Sequence, residues 1–145
     1  MTDRPADGSP GPESARILVV EDYAPLRVLL VRVLTAEGHR VAAVATASAA
    51  QARCGDEDFD LIVTDVQVLG GNGAEIARRV AARRPGQRVL FVSGTAGHDL
   101  DLDVPDARTD FLQKPFDIDV LVERVRHLLT CDVGPATPRT RRPGD

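Results

Sequence analysis

The sequence predicts an α/β fold with a doubly wound, five-stranded parallel sheet and helices on both of its faces. Five short apolar segments alternate with segments of helical periodicity, which is the order expected of β–α–β units. Most of these short segments are apolar along nearly their whole length, as are strands that are buried on both faces. A chain of 145 residues favours one domain with a single hydrophobic core.

The first half of the chain contains three predicted strands and two predicted helices. The strands are rich in valine, isoleucine, leucine and alanine, and they are predicted at 17–20, 39–44 and 61–64. Apolar residues recur every three or four positions over 25–38, which predicts a helix that Gly38 ends. An alanine-rich helix is predicted near 47–54.

The second half contains two further predicted strands, at 88–93 and 110–113, and helices at 74–84 and 117–129. Asp117 is the expected N-cap of the last helix. The segment 95–109 contains four aspartates, one glycine and one proline, with little apolar periodicity. The fourth helix of the fold is therefore expected to be short or irregular.

The two ends of the chain are predicted to be disordered tails, because residues 1–14 and 131–145 are rich in proline, glycine and polar residues. The second tail is basic, and its arginines are expected to be solvated: Arg139, Arg141 and Arg142. The folded domain is expected to cover 15–130. No room is expected after residue 130 for a DNA-binding helix-turn-helix.

Composition and charge limit the classes of function. Lysine and arginine number 18 and aspartate and glutamate 22, so the net charge is −4 and indicates no general attraction to DNA or to a membrane surface. The absence of a long apolar run or a signal peptide predicts a cytoplasmic location. Cys54 and Cys131 are isolated, so both are expected to be reduced thiols. The three histidines are expected at the surface: His39, His98 and His127.

Polar side chains follow four of the predicted strands. These residues are three acids, one hydroxyl and the only lysine of the chain: Glu21, Asp22, Asp65, Ser93 and Lys114. The carboxyl ends of parallel strands meet at one edge of the sheet, where functional groups collect. Clustered carboxylates repel one another unless a cation lies among them, and hard oxygen ligands suit Mg²⁺. A carboxylate in such a site can act as a nucleophile toward a phosphoryl group.

Four motifs resemble the receiver domains of two-component response regulators, over roughly residues 15–130. They are VVED (19–22), VTDVQVLGGNG (63–73), FVSGT (91–95) and FLQKPF (111–116). Each is a common pattern by itself, but here they occur in this order, each at a predicted strand end. The resemblance implies a flavodoxin-like sheet with the strand order 2-1-3-4-5.

The resemblance also implies that Asp65 is the phosphoacceptor and that Mg²⁺ is the cofactor. The implied metal ligands are Asp22, which binds directly, Glu21, which binds mainly through water, and Asp65 and the main-chain carbonyl of Gln67. Ser93 and Lys114 are implied to bind the phosphoryl group, and the bond before Pro115 is implied to be cis.

A switch and two tuning positions follow from the same resemblance. Ser93 would shift toward the phosphoryl group, and Phe111 would turn inward behind it. Phe111 has no hydroxyl group, so such switching would work by packing alone, and a plain core phenylalanine is the alternative. Gln67 and Thr95 occupy positions at which the family tunes the lifetime of the acyl phosphate.

The loop after Asp65 departs from the family pattern. Receivers usually carry a Met-Pro pair where this chain has Val68 and Leu69, although Gly73 matches. The missing proline predicts a less restrained loop.

Two enzyme classes are disfavoured by single residues. A phosphatase of the haloacid dehalogenase type needs a second acid two residues after its nucleophile, and that position is Gln67. A phosphate-binding GxxxxGK[ST] loop is excluded because proline follows the only lysine.

We therefore expect a stand-alone receiver rather than an enzyme with turnover of its own, beyond its own phosphotransfer and dephosphorylation. Its expected partners are a sensor histidine kinase or a histidine phosphotransfer protein, and a downstream protein target. Phosphorylation-dependent homodimerisation is a further possibility, with no binding to DNA or membranes. The alternative is a receiver-like adaptor that binds proteins without phosphorylation.

Overall fold

The computed structural model of the chain describes residues 14–94, 104 and 107–130. The predicted tails, apart from Ser14, and most of the segment 95–109 lie outside these residues, as do Thr95, His98 and Cys131. Within the described ranges, no helix combines the length and the hydropathy needed to cross a membrane.

Seven strands and four helices make up the described chain. The strands are β1 (Arg16–Val20), β2 (Arg40–Val44), β3 (Leu61–Asp65), β4 (Gln67–Val68), β5 (Gly71–Asn72), β6 (Gln87–Ser93) and β7 (Ala107–Gln113). The helices are α1 (Ala24–Ala36), α2 (Ala47–Asp56), α3 (Gly73–Arg83) and α4 (Ile118–Thr130). Gly38 follows α1 with a φ of 98°, a left-handed conformation that suits a glycine helix stop, so this prediction is confirmed.

Five of the strands form one parallel sheet in the order β2-β1-β3-β6-β7. The longer strands therefore follow the predicted 2-1-3-4-5 order, and the predicted fold class is confirmed. β2 lies on one side of β1 within the sheet, and β3 lies on the other, so the direction in which strands are added reverses after β2. A crevice opens between the carboxyl ends of strands at such a reversal, and ligands bind there in open α/β sheets.

Two apolar layers cover the sheet. Successive residues of each strand point to opposite faces, so Leu18 and Ile62 pack toward α2 and α3, whereas Ile17 and Leu61 pack toward α1 and α4. These four side chains are completely buried. Each contributes roughly 1.5–3 kcal/mol of hydrophobic stabilisation, which holds the strand ends in register.

Most strand boundaries lie within one residue of the sequence prediction, and two features differ by more. The last strand begins at Ala107, three residues before the predicted 110–113, because 107–109 pair with Gln87, Arg88 and Val89 of β6. The short strands β4 and β5 pair in an antiparallel hairpin that no periodicity indicated. Two-residue strands are too short to produce a pattern.

His39 is buried, which corrects the prediction of a surface position. Its Nδ1 accepts a hydrogen bond from the main-chain N–H of Ala15 at 3.0 Å, and Ala15 O accepts the N–H of Arg40 at 2.8 Å. The imidazole thus satisfies a donor at the start of β1 that would otherwise be buried without a partner. His127 is exposed, as predicted.

Candidate functional site

Three carboxylates meet at the reversal of strand order. Glu21 and Asp22 follow β1, Asp65 ends β3, and the two strands are neighbours in the sheet. One carboxylate oxygen from each residue lies within 4.8 Å of the other two. The sheet register therefore creates the cluster, since Val20 is the partner of Thr64 and the acids come next on each strand.

Glu21 is buried, and protein partners occupy all of its polar groups. Its side chain is 2% exposed. Oε1 accepts a hydrogen bond from Lys114 Nζ at 3.1 Å, and Oε2 accepts one from the N–H of Tyr23 at 3.1 Å. The Glu21 N–H donates to Val44 O at 3.1 Å, and its carbonyl accepts from Arg27 Nη1 at 2.9 Å. Glu21 is thus a fixed part of the site, whereas Asp22 is exposed to solvent.

Lys114 brings the positive charge of the cluster. Its Nζ donates to Asp65 Oδ2 at 2.9 Å as well as to Glu21, so one ammonium links two strand ends. Burial works to lower the pKa of Lys114, but the hydrogen bonds to Asp65 and Glu21 outweigh it and hold this pKa above its ordinary value. Lys114 therefore stays charged near neutral pH.

The main chain of Lys114 lies at the end of the sheet where the acids meet. The Lys114 N–H donates to the carbonyl of Ser93 at 2.7 Å, and the Lys114–Pro115 bond is cis. Ser93 is buried at the end of β6, next to Val92, the sheet partner of Asp65. Ser93 and Lys114 are therefore brought to the same edge as the acids.

The Asp65 carboxylate is held at both oxygens. While Oδ2 accepts from Lys114, Oδ1 accepts from the N–H of Gln67 at 3.2 Å. The side chain of Asp65 is 13% exposed, so it keeps an open approach from solvent. Gln67 itself is exposed beside it, at the start of β4.

The loop after Asp65, for which the missing proline predicts less restraint, is hydrogen-bonded at several points. Val68 is buried and pairs with Gly71, and Gly70 makes the turn between them with a φ of 87°. The carbonyl of Leu69 accepts the N–H of Ala47 at 2.9 Å, which ties the loop to the start of α2. Hairpin pairing and this contact restrain the loop without proline.

Phe111 does not join the polar cluster. It is half-buried on β7, opposite Phe91, and packs against the apolar layer on the α2 and α3 side of the sheet. This position suits either of its predicted roles, as a switch or as a core residue.

The donor set is that of a hard divalent cation. Three carboxylates carry a charge of −3 and Lys114 carries +1, which leaves −2 among groups that lie within a few ångströms. Carboxylate oxygens are the ligands that Mg²⁺ uses in proteins. Glu21, Asp22 and Asp65 therefore form an acidic cluster whose residual charge and oxygen ligands match a divalent metal.

Two contributors to the site were not found from the sequence. Arg27 reaches back from α1 to the Glu21 carbonyl, and the N–H of Tyr23 holds the Glu21 carboxylate. Contacts with main-chain groups do not depend on the residue type, so they leave no pattern in the sequence. The one available signal for the Arg27 contact was an arginine in the first turn of α1, a few residues after the acids.

Comparisons with known proteins agree with this geometry. Residues 17–126 match the response regulator receiver domain family. The response regulator receiver protein CpdR of Brucella abortus is 34% identical over 117 residues, which cover 79% of this chain and 96% of CpdR. The transcriptional regulatory protein TcrA of Mycobacterium tuberculosis is 39% identical over 114 residues, covering 78% of this chain but only 45% of TcrA.

A solved structure gives the same result for the fold. The crystal structure of the response regulator TrrA from Thermotoga maritima, in complex with Mg²⁺-BeF, superposes with a TM-score of 0.69. It is 26% identical and covers 78% of this chain and 97% of TrrA.

Proposed function

Because this chain belongs to the response regulator receiver domain family, we propose that Asp65 accepts a phosphoryl group from a phosphohistidine on a partner protein. The observation that carries this proposal is the 2.9 Å contact between Lys114 Nζ and Asp65 Oδ2, inside a cluster of three carboxylates. A lone strand-end aspartate has many possible roles. An aspartate that is paired with the only lysine of the chain, among surplus negative charge, suits phosphoryl chemistry.

The metal in this proposal is Mg²⁺. Asp22, Asp65 and the carbonyl of Gln67 would hold it directly, and Glu21 would hold it mainly through water. When bound, it supplies positive charge that neutralises the phosphoryl oxygens during transfer. The excess charge of −2 in the cluster and the Mg²⁺ in the TrrA complex support this assignment.

In the proposed transfer, an oxygen of Asp65 attacks the phosphorus atom. The bond between phosphorus and the imidazole nitrogen breaks, and its electron pair stays on the histidine of the donor. Because Lys114 and the Gln67 N–H hold the two carboxylate oxygens, the nucleophile is oriented before the donor arrives. No general base is needed, since a carboxylate nucleophile has no proton to lose.

The transferred group then reorganises the site. It adds negative charge beyond Asp65, so Lys114 would follow the charge from the carboxylate to the phosphoryl oxygens. The Ser93 hydroxyl would donate a hydrogen bond to the same oxygens, and Phe111 would repack behind it. Gln67 and Thr95 would set how fast water reaches the acyl phosphate. Phosphorylation would thereby shift the domain from one packing arrangement toward another and so alter its contacts with other proteins.

Intact mass spectrometry tests the acceptor. The protein is incubated with Mg²⁺ and acetyl phosphate, and Asp65→Asn and the exposed-acid control Asp58→Asn are run beside it. A gain of one phosphoryl group in the wild type and in Asp58→Asn, but not in Asp65→Asn, is expected. Modification of Asp65→Asn to the same extent would refute the assignment. No gain in any variant would favour the phosphorylation-independent adaptor.

We also propose that this receiver works without an attached output domain and signals through protein contacts. The match over nearly all of CpdR supports this layout. TcrA is a transcriptional regulatory protein more than twice as long as its matched part, so the predicted absence of DNA binding needs its own test. Immunoblotting of the natural product measures its length, and an electrophoretic mobility assay tests DNA binding. A product much longer than 145 residues would contradict the proposed layout.

A further inference from the structure

The two outer strands of the sheet, β2 and β7, differ in how their outward main-chain groups are satisfied. Such N–H and C=O groups need partners other than a neighbouring strand. On β7, the Phe111 N–H donates to Asp110 Oδ1 at 2.8 Å, and the Phe111 carbonyl accepts from Arg124 Nη1 at 2.8 Å. Two charged side chains therefore occupy this edge and hinder the addition of another strand.

The outer edge of β2 carries no such side chains. β2 has the sequence RVAAV, and β1 is its only strand neighbour in the described part of the chain. The N–H of Arg40 and the carbonyl of Val44 bind main-chain groups that flank β1, at 2.8 and 3.1 Å. Because these groups alternate in direction along a strand, the N–H and C=O groups of Val41 and Ala43 point away from the sheet. Within the described ranges, no hydrogen bond satisfies these outward groups.

The apolar side chains of β2 are also incompletely covered. Residues 17–20 of β1 are completely buried, whereas residues 41–44 of β2 all keep partial exposure. Proline and charged side chains commonly prevent an edge strand from pairing, and β2 has neither after Arg40. The outer edge of β2 is therefore open to another extended chain.

The outward groups of β2 are arranged symmetrically about Ala42. Two antiparallel β2 strands, related by a two-fold axis at Ala42, would place Val41 of one copy opposite Ala43 of the other. Opposite residues in a hydrogen-bonded antiparallel pair exchange both of their N–H···O bonds. Both copies would thus have all the outward groups of Val41 and Ala43 satisfied at once.

The side chains of β2 fit the same arrangement. Ala42 would meet Ala42 of the second copy in a non-hydrogen-bonded pair, where the α-carbons lie only about 4.5 Å apart and small side chains fit. Arg40 is exposed and forms no ion pair with the described residues. In the antiparallel pair it would lie at the carboxyl end of β2 in the second copy, which is the end of the sheet that carries the acidic cluster. The two arginines would lie at opposite ends of the pair, so opposite charges approach and like charges do not.

We propose that the outer edge of β2 is a docking surface for a second copy of this chain. The two copies pair antiparallel about Ala42 and form one continuous sheet. This edge is on the opposite side of the sheet from β7, and the pairing involves no phosphoryl group, so the inference goes beyond the proposed function. Because few residues of each copy take part, the dimer is weak and reversible.

Cysteine cross-linking tests the register of the pair. Ala42→Cys is made in a Cys131→Ser background, and oxidised glutathione is added without Mg²⁺ or a phosphodonor. In the proposed dimer the two new thiols face each other, at an α-carbon separation of about 4.5 Å that a disulfide can bridge. A disulfide-linked dimer is expected on a non-reducing gel.

Val44→Cys in the same background is the matched control. Val44 lies on the same strand, faces the same apolar layer as Ala42 and is also partly exposed. It would face Arg40 of the second copy, so the two new thiols would lie roughly 13 Å apart along the strand direction. Cross-linking is expected to be roughly tenfold faster in Ala42→Cys, because only there does the pairing hold the thiols together. Circular dichroism melting curves show that both variants are folded.

Sedimentation equilibrium measures the association without new thiols. The wild type is expected to shift from monomer toward dimer between about 20 µM and 1 mM. Ala43→Pro removes one outward N–H from each copy, at a position where an edge strand tolerates proline, and should remain monomeric. Arg40→Glu should weaken the dimer severalfold, because it brings a negative charge toward the acidic cluster.

The outcomes decide the proposal. Equal cross-linking of Ala42→Cys and Val44→Cys would overturn the pairing about Ala42. A dimer that persists unchanged in folded Ala43→Pro would overturn the edge as the docking surface, and if Ala43→Pro does not fold, the two cysteine variants decide. A wild type that stays monomeric over the whole range would exclude a second copy and leave the edge to an extended segment of a different protein. The acceptor role of Asp65 is tested separately, by its mass change.

Discussion

Gly73 lies so close to Asp65 that a β-carbon on residue 73 would be 2.5 Å from the Asp65 carbonyl oxygen. The same atom would be 2.9 Å from Cγ2 of Thr64. Real β-carbons do not approach a backbone oxygen this closely, and this oxygen belongs to the proposed phosphoacceptor. The first residue of α3 is thus packed directly against the end of β3.

Gly73→Ala is therefore expected to lower the free energy of unfolding by about 1–3 kcal/mol, because the overpacked backbone must shift. The same shift should slow labelling of Asp65 by acetyl phosphate. Urea unfolding and intact mass measure the two effects. Gly55→Ala in α2 is the control: a β-carbon there meets no atom within 4 Å, and the change should stabilise by roughly 0.5–1 kcal/mol. Equal stability of both variants would contradict the close approach.

Tyr23 offers a direct measure of metal binding. It is the only tyrosine in a chain without tryptophan, it follows Asp22, and its N–H binds the Glu21 carboxylate. Addition of Mg²⁺ is expected to change its fluorescence with a saturable dependence. Asp22→Asn should weaken the binding roughly tenfold or more, because one of three carboxylates loses its charge. Asp58→Asn should leave it unchanged, and unaltered affinity in Asp22→Asn would exclude Asp22 as a ligand.

Arg27 is expected to support the same site through the main chain. Arg27→Ala removes the hydrogen bond to the Glu21 carbonyl, and the free energy of unfolding should fall by about 1 kcal/mol. Mg²⁺ affinity, followed at Tyr23, should fall severalfold because Glu21 and Asp22 lose a support. Arg32→Ala on the exposed side of α1 should alter neither quantity. Loss of stability with unchanged affinity would limit Arg27 to a structural role.

The pairing of Lys114 predicts a specific dependence of stability on pH. Its pKa is raised in the folded protein, so its contribution is fully present below the unfolded value of about 10.4 and is lost as pH rises through the higher folded pKa. The difference in unfolding free energy between the wild type and Lys114→Gln should be constant from pH 7 to about 10 and decrease above that. Urea unfolding at stepped pH measures this difference. Lys114→Arg stays charged, so its unfolding free energy should remain above that of Lys114→Gln at high pH. If this difference also decreased in Lys114→Arg, another titrating group would be responsible.

Cys54 should react slowly with thiol reagents. Burial raises the pKa of its thiol, an effect that the nearby guanidinium groups of Arg83, Arg84 and Arg53 only partly offset. In a Cys131→Ser background, labelling by a disulfide reagent at pH 8 is expected to follow unfolding, and urea should accelerate it. Rapid labelling of the folded protein would show that the α2 side of the core opens readily.

The sequence was sufficient for the residues that a parallel sheet brings together. Glu21 and Lys114 follow β1 and β7, Asp65 and Ser93 end β3 and β6, and strand ends at one edge must meet once the strands are parallel. The site was therefore predictable as a set of residues, although the individual distances were not.

The features that escaped prediction have a different physical origin. The β4–β5 hairpin and the contact of Arg27 with the Glu21 carbonyl depend on backbone groups, which all residue types share. His39 was predicted at the surface because nothing in the sequence indicates its buried partner. That partner is a main-chain group, the N–H of Ala15. The start of β7 was missed because Ala107, Arg108 and Thr109 have no apolar pattern of their own.

The position of Lys114 between Asp65 and Glu21 has a chemical consequence. Since it is the only lysine, the chain has one side-chain amine, and it lies against the carboxylate that we propose as the phosphoacceptor. Any acylating metabolite that modifies lysines can act on just this one side chain, and a single acetyl group would remove the charge that holds both carboxylates. Under the proposed function, acylation of this one nitrogen would hinder phosphoryl transfer to Asp65 without any change in the sequence or abundance of the protein.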